Sequence, residues 1–203
     1  MTDYKLSLRN KILDTAIKAF CERGIKAVKM DDVASALGIS KRTLYEIFDT
    51  KEVVLYEGLK RYHSQKDEKL RSYAQRHDVL DIIIYLYRCH MEDTGTLPPM
   101  IYDELSKFPR IVTYLEGNRQ KNQKRFLQFI SRGVDEGYFL EGVNYNLVAN
   151  LFEAMNKYIH HHRLYERYSF EELFFNMLFV TLRGFCTPKG IGKLDTFYKE
   201  SNK

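Results

Sequence analysis

The sequence predicts an all-α chain, on three observations. Proline and glycine are scarce, at 4 and 11 of 203 residues. Apolar residues recur at spacings of three and four through nearly every long segment, which is the helical period. Alternating apolar and polar runs of the kind a half-buried strand needs are hard to find. Hydrophobic residues make up 44% of the chain, enough for a real core and too many for wholesale disorder.

The first helix is expected from about Leu6 to Arg23, with Ile12, Leu13, Ala16, Ile17 and Phe20 as its buried stripe and Gly24 as a left-handed stop. Two short helices follow, Met30 to Leu37 and Lys41 to Phe48, separated by Gly38-Ile39-Ser40. Asp49 with Glu52 resembles a capping box opening a longer helix through Leu55, Leu59 and Tyr62. Further helices are expected near Val79–Met91 and from about Pro109 to Glu136, with a break at Gly95–Pro99 and a short piece around Ile101–Ser106 between them. Gly137 ends the long helix. Asn144 caps the next, which carries Val148, Leu151, Phe152, Met155 and Ile159. Ser169 and Glu172 make a capping box for a last helix to about Phe185, after which Thr187-Pro188-Lys189-Gly190 reads as a break into a polar tail.

The informative stretch is MDDVASALGISKRTLYEIF, Met30 to Phe48. Two helices of about eight residues separated by three must cross steeply. Such a crossing needs a small residue where they touch, supplied by Ala34, and a turn position tolerant of positive φ, supplied by Gly38. Leu44 plugs the second helix into the core. Ser40 stands where that helix needs an N-cap, and Lys41 and Arg42 follow in its first turn, where positive charge opposes the helix dipole by roughly 0.3–1 kcal/mol per residue. A docked polyanion compensates such an arrangement, because the N-terminal end of a recognition helix enters the major groove. Arg42 has the fork to read guanine, while Lys41, Thr43, Tyr45 and Lys51 can hold phosphates. From Met1 to Lys51 ten bases stand against seven acids, within a net charge of +5 for the whole chain.

The run from Ile12 to Leu59 resembles the DNA-binding domain of the tetracycline-repressor (TetR) family. The resemblance is carried by Ile12, Ala16, Phe20 and Gly24, then Val33-Ala34, Leu37-Gly38-Ile39-Ser40, Thr43-Leu44-Tyr45 and Phe48, and finally Lys51-Glu52. It implies phosphate contacts from Thr43, Tyr45 and Lys51, and contacts to the flanking backbone around Lys29 and Met30. Many members have glycine where this chain has Arg42, so no base preference carries over. The phrase Gly133 to Phe139 is similar to the family's ending of its long central helix. By the same resemblance the last two helices, through Leu147, Leu151, Met155 and Ile159, then Leu173, Met177, Leu178 and Leu182, would build a four-helix bundle with a partner subunit. Tyr62, Leu86, His90, Tyr102, Phe126, Phe129, Phe152 and Met155 fall on the helices that enclose the effector pocket in similar proteins. Any of them alone is also what a plain core requires; as a group they suggest an apolar or aromatic small molecule.

Other chemistries find little support. His160-His161-His162 point about 100° apart on a helix and do not converge on one metal. Gly190-Ile191-Gly192 lacks a third glycine and a preceding strand, and no GxSxG, HExxH or P-loop occurs. Cys21, Cys89 and Cys186 are too far apart for a CxxC pair and read as small apolar residues in a reducing compartment. The first residues have no apolar signal core, and no stretch is long enough to span a bilayer.

The expectation is therefore an all-α chain with a helix-turn-helix DNA-binding domain at 1–50 and a larger effector-binding and dimerisation domain at 51–203. It would be a cytoplasmic homodimer on a double-stranded operator, a repressor released by a small molecule, with no enzymatic activity and no cofactor. The rival is a regulator of the same fold that answers to a protein partner and takes no small molecule.

Overall fold

The computed structural model describes residues 3–92, 101 and 104–201. Nine helices are found among the described residues, with a 3-10 turn at Leu164–Glu166, and the elements divide between two compact units. The first comprises residues up to 70 together with 95–116, and the second residues 71–94 and 117–203. The expected break at Gly95–Pro99 and the residue Tyr102 lie outside the described residues, as does the side chain of His90.

In the first unit, α1 (Asp3–Arg23), α2 (Met30–Ala36), α3 (Lys41–Ile47) and the start of α4 (Lys51–Ala74) surround one core. The expected stripe on α1 is its buried face, joined by Val33, Ala34, Leu44, Val54, Leu55 and Leu59. Ile101, Leu105 and Ile111 close the same core, so this packing unit is larger than the stretch expected at 1–50. A short three-helix module alone offers little area to bury, and the added helical pieces supply more. At Gly58, a Cβ would stand 2.7 Å from Ile17, so α1 and α4 touch where α4 has no side chain. Arg61 makes a forked pair to Asp14 at 2.8 and 3.2 Å across the same two helices.

The start of α4 differs from expectation by one residue. Thr50, not Asp49, is the cap: its Oγ1 accepts from Val53 N–H at 3.3 Å and its carbonyl accepts from Val54 N–H. The capping-box spacing from Asp49 to Glu52 is present, but the helix begins at Lys51.

In the second unit, α5 (Val79–Glu92), α6 (Pro109–Asp135, its last two-thirds), α7 (Tyr145–His161), α8 (170–183) and α9 (Pro188–Ser201) pack around Val79, Leu80, Ile130, Phe139, Phe179 and Phe197. Helix α8 is compound: α-helical at Phe170–Leu173, a π-turn at Phe174–Phe179 and α-helical again at Val180–Arg183. The Ser169–Glu172 capping box opens it as expected, and Asn144 caps α7 through Leu147 N–H at 3.1 Å. Leu182, expected on the bundle face, is instead 2% exposed inside this core.

The expected polar tail is helix α9. Thr187 is its N-cap, with Oγ1 accepting from Gly190 N–H at 3.3 Å, and Pro188 occupies the first helical position. Proline is well suited there, since the N–H it lacks has no intrahelical acceptor. Gly190 is needed by packing, because a Cβ on it would stand 2.5 Å from the Tyr138 carbonyl. The carbonyls that end α6 are claimed by the same element: Thr187 Oγ1 donates to Gly137 O at 2.8 Å and Lys189 Nζ to Glu136 O at 2.7 Å. Gly137 itself takes φ +74°, as its place at the end of the long helix requires. Cys186 is buried beside this junction, and burial pushes its thiol up to about 11.

Three charged groups, Arg132, Glu136 and Asp78, hold the corner between α4 and α5. Arg132 on α6 donates to the carbonyls of Ala74 (2.9 Å) and His77, and pairs with Glu136 at 2.6 Å. Glu136 in turn accepts from Val79 N–H at 2.9 Å. Asp78 caps α5, accepting from the N–H groups of Leu80 and Asp81 at 3.0 Å each, and receives Lys193 (2.5 Å) and the Tyr138 hydroxyl (2.8 Å) on its other oxygen. Burial alone would raise the Asp78 carboxyl, but the Lys193 ammonium, the Asp81 amide and the Tyr138 hydroxyl hold it at about 2.

An unfolded aspartate titrates near ~3.9. The contribution of Asp78 is therefore complete above about pH 4 and is lost as the pH falls toward 2. We expect the melting-temperature gap between the parent chain and Asp78→Asn to be widest at neutral pH and to close over that interval. A gap constant from pH 7 to pH 2 would mean that Asp78 holds its partners no better as an anion than as an acid.

Candidate nucleic-acid interface

Helix α2 ends in a Schellman arrangement. Gly38 N–H donates to Ser35 O at 3.1 Å, Ile39 N–H donates to Ala34 O at 3.0 Å, and Gly38 sits at φ +63°. The chain turns there, and Ser40 restarts it as the N-cap of α3: its Oγ accepts from Thr43 N–H at 3.0 Å and lies 2.8 Å from Thr43 Oγ1. A serine cap of this kind contributes about 1 kcal/mol. Leu44 is fully buried beneath, with Ala34 and Val33 of α2 in the same core. The small residue, the positive-φ glycine and the buried leucine thus do what their spacing predicts.

The remaining faces of α3 are solvent-exposed and carry the expected cations. Arg42 is 90% exposed in its side chain, with Nε 3.0 Å from Glu46 one turn on. Lys41 is exposed and makes an ion pair with Asp31 at the start of α2; the hydrogen bond and the charge of Asp31 raise its pKa. Tyr45 is exposed on the same helix and Thr43 is half-buried at the cap. Lys29 precedes α2 with an exposed side chain, and its backbone N–H donates to Asp32 at 2.9 Å. Six of the eight expected DNA contacts, at positions 29, 40, 41, 42, 43 and 45, therefore cluster on the helix-turn-helix.

Two of the eight are placed otherwise. The Met30 side chain is 7% exposed and belongs to the core of the first unit. Lys51, expected on a phosphate, turns inward. Its ammonium donates to the carbonyls of Ile25 and Val28 in the α1–α2 loop and lies 5.7 Å from the centre of the Phe20 ring. Burial lowers its pKa, against the opposing charges of Glu104 and Asp32. The loop has no helix to satisfy those carbonyls, so the lysine does so. The acidic partners Asp31 and Glu46 did not figure among the expected residues. The i,i+4 spacing of Arg42 and Glu46 was a readable signal; the pairing of Asp31 with Lys41 depends on the crossing of two helices.

Six of the eight residues expected around an effector are described, and they divide between the two units. Tyr62 lies half-buried against the core of the first unit, with Lys66 Nζ 4.7 Å from its ring centre. In the second unit Phe126 and Phe152 meet edge to face at 6.2 Å, Phe129 stands 6.3 Å from Phe139, Met155 is half-buried, and Leu86 is exposed. A separate cleft of about 240 Å³ in the second unit is lined by α5, α8 and α9, and none of those six contributes to it.

A buried-leucine helix-turn-helix with an exposed, basic second helix, carried on a chain whose other unit is helical, defines a DNA-binding transcriptional regulator. Residues 12–57 match the family described as bacterial regulatory proteins, tetR family. The transcriptional repressor KstR2 of Mycobacterium tuberculosis is 26% identical over 149 residues, covering 70% of this chain and 74% of its own. A TetR-family regulator from Agrobacterium tumefaciens superposes with a TM-score of 0.71 at 16% identity, over 90% of this chain and 100% of its own. One from Cytophaga hutchinsonii gives 0.73 at 15% identity, over 92% and 98%. The match places a tetR-family DNA-binding domain at residues 12–57 of this chain.

The inward turn of Lys51 generates an expectation opposite to that of a phosphate clamp. Lys51→Met should lower stability by about 1–3 kcal/mol, the cost of leaving buried carbonyls without a donor, and leave the salt-dependence slope of DNA binding unchanged. The checks are a denaturant titration and binding titrations at several salt concentrations. A slope reduced by roughly one per bound chain at unchanged stability would return Lys51 to the phosphates.

Proposed function

We propose that the chain represses transcription as a homodimer on a double-stranded operator and is released by a small apolar or aromatic effector. The observation that supports this most is the fully exposed Arg42 on a recognition helix whose opposite face is locked by Leu44. In this reading Arg42 reaches base edges in the major groove, while Lys41, Thr43, Tyr45 and Lys29 meet phosphates and fix the register. Release follows from a ligand whose affinity differs between the two shapes of the dimer.

A homodimer is supported by the apolar face of α7. Leu147 and Leu151 are each 54% exposed and Tyr158 58%, at spacings that put all three on one side of the helix, and no residue of α7 is fully buried within the subunit. Val180 on α8 adds a fourth exposed apolar side chain. Exposed apolar side chains gathered on one helix face mark an interaction site.

Two experiments test the reading. Leu147→Glu with Leu151→Glu should convert a sedimenting dimer to monomer and abolish operator binding, since two like-charged pairs would be buried at its centre; a dimer that survives both charges places the interface elsewhere. Arg42→Ala should cost about 1–3 kcal/mol on the cognate operator and relax preference at one base pair per half-site. Equal losses on cognate and scrambled duplexes would make Arg42 one more phosphate contact and leave sequence preference to Lys41, Thr43 or DNA shape.

A further inference from the structure

The cleft of about 240 Å³ in the second unit is walled by six aromatic rings, Tyr87, Phe174, Phe175, Phe179, Phe197 and Tyr198. They come from three helices. The π-turn in α8 brings Phe174, Phe175 and Phe179 into the wall, α5 supplies Tyr87, and α9 supplies the other two. The rings are packed against each other: Tyr87 meets Phe174 at 4.7 Å and Phe197 at 5.4 Å, and Phe175 meets both Phe179 and Tyr198 at 4.9 Å.

The charged groups of the wall are both carboxylates, Glu171 and Glu172. Glu171 is exposed at the rim and accepts the Tyr87 hydroxyl at 3.5 Å, the long limit of a hydrogen bond. Its charge, after burial, raises the Tyr87 pKa, so the phenol stays protonated. Glu172 is committed to the capping box with Ser169, and the Asn176 amide donates to the Glu172 carbonyl at 2.8 Å. No lysine, arginine or histidine is among the residues described as lining the cleft. What remains for an occupant is the negative faces of aromatic rings and a carboxylate at the mouth. Such a surface repels anions and attracts cations, most strongly those whose charge is spread over methyl or methylene groups. Outside the lining, the Arg88 guanidinium lies 5.9 Å from the centre of the Phe197 ring. The volume is below the roughly 300–1,000 Å³ of drug-sized pockets, which limits the occupant to a small molecule.

We infer that this cleft is a binding site for a small organic ammonium ion, quaternary or heavily alkylated. The ammonium seats against the rings of Phe174, Tyr87 and Phe197, and Glu171 balances its charge. If release by an effector acts through this cleft, the effector is an organic cation with an apolar surface rather than the neutral apolar or aromatic molecule proposed above. The site itself does not depend on that reading.

The test uses the full chain, with tetramethylammonium as probe and tert-butanol as its neutral counterpart of similar shape, each titrated by protein NMR. The expected result is saturable binding of the cation, roughly ten-fold tighter than the alcohol, with shifts confined to the ring residues of α5, α8 and α9. Glu171→Gln, an exposed substitution that leaves the core intact, should weaken the cation several-fold and the alcohol not at all; Phe174→Leu should weaken both the cation and its advantage over the alcohol. Equal binding of the two probes, no saturation by the cation, or a Glu171→Gln variant that binds the cation unchanged would overturn the inference. A parallel operator titration separates the two readings. Cation binding with no change in operator affinity would keep the site and remove its role in release.

Discussion

Helix α3 has seven residues, and an isolated helix of that length does not persist in water. Its existence depends on one constraint, the burial of Leu44 between α1, α2 and α4. Everything exposed on α3 is displayed because that side chain is pinned. The Ser40 cap sets where the helix starts, Gly38 sets the angle at which it leaves α2, and the α1–α2 loop is held by the Lys51 ammonium from beneath. The reading surface is thus rigid through contacts made on its hidden side. Arg42 and Tyr45 are free to meet a partner because neither contributes to the core that holds their helix.

The second unit solves a different problem, which is how to end helices without leaving backbone groups unpaired. The corner after α4 is closed by Arg132 on two carbonyls and by Glu136 and Asp78 on the first amides of α5. The end of α6 is closed by Thr187 and Lys189. A short antiparallel bridge between Phe139 and Cys186 joins the two segments, and Gly133 makes room for the Phe139 ring, which would stand 2.2 Å from a Cβ there. Helix α9 is therefore an integral part of this unit, and Leu194 and Phe197 are core residues rather than tail.

What could be read from the sequence follows the range of the interactions. The stripe of α1, the turn at Gly38, the Ser40, Asn144 and Ser169 caps and the stop at Gly137 are decided within a few residues, and each is found where the pattern puts it. Helix α9 was hidden because Pro188, Gly190 and Gly192 look like breakers in isolation; proline in the first turn and glycine under a tight contact invert that meaning. The inward course of Lys51 depends on carbonyls 23 and 26 residues earlier, and spacing carries no trace of it. The aromatic cleft was out of reach for the same reason, since it needs α9 and a π-turn that changes which phenylalanines share a side of α8.

The ion pairs on α3 have a consequence for how DNA would be met. Lys41 rests on Asp31 and Arg42 on Glu46, so the free protein carries its own counterions, tethered a few ångströms from the charges they neutralise. A phosphate arriving at either cation displaces a carboxylate that stays attached to the protein. Association then becomes an exchange of one anion for another on the protein side, and the entropy of releasing mobile ions comes mainly from the DNA. The tethered carboxylates also remain close by, ready to reclaim their cations at any sequence where the bases fail to hold them.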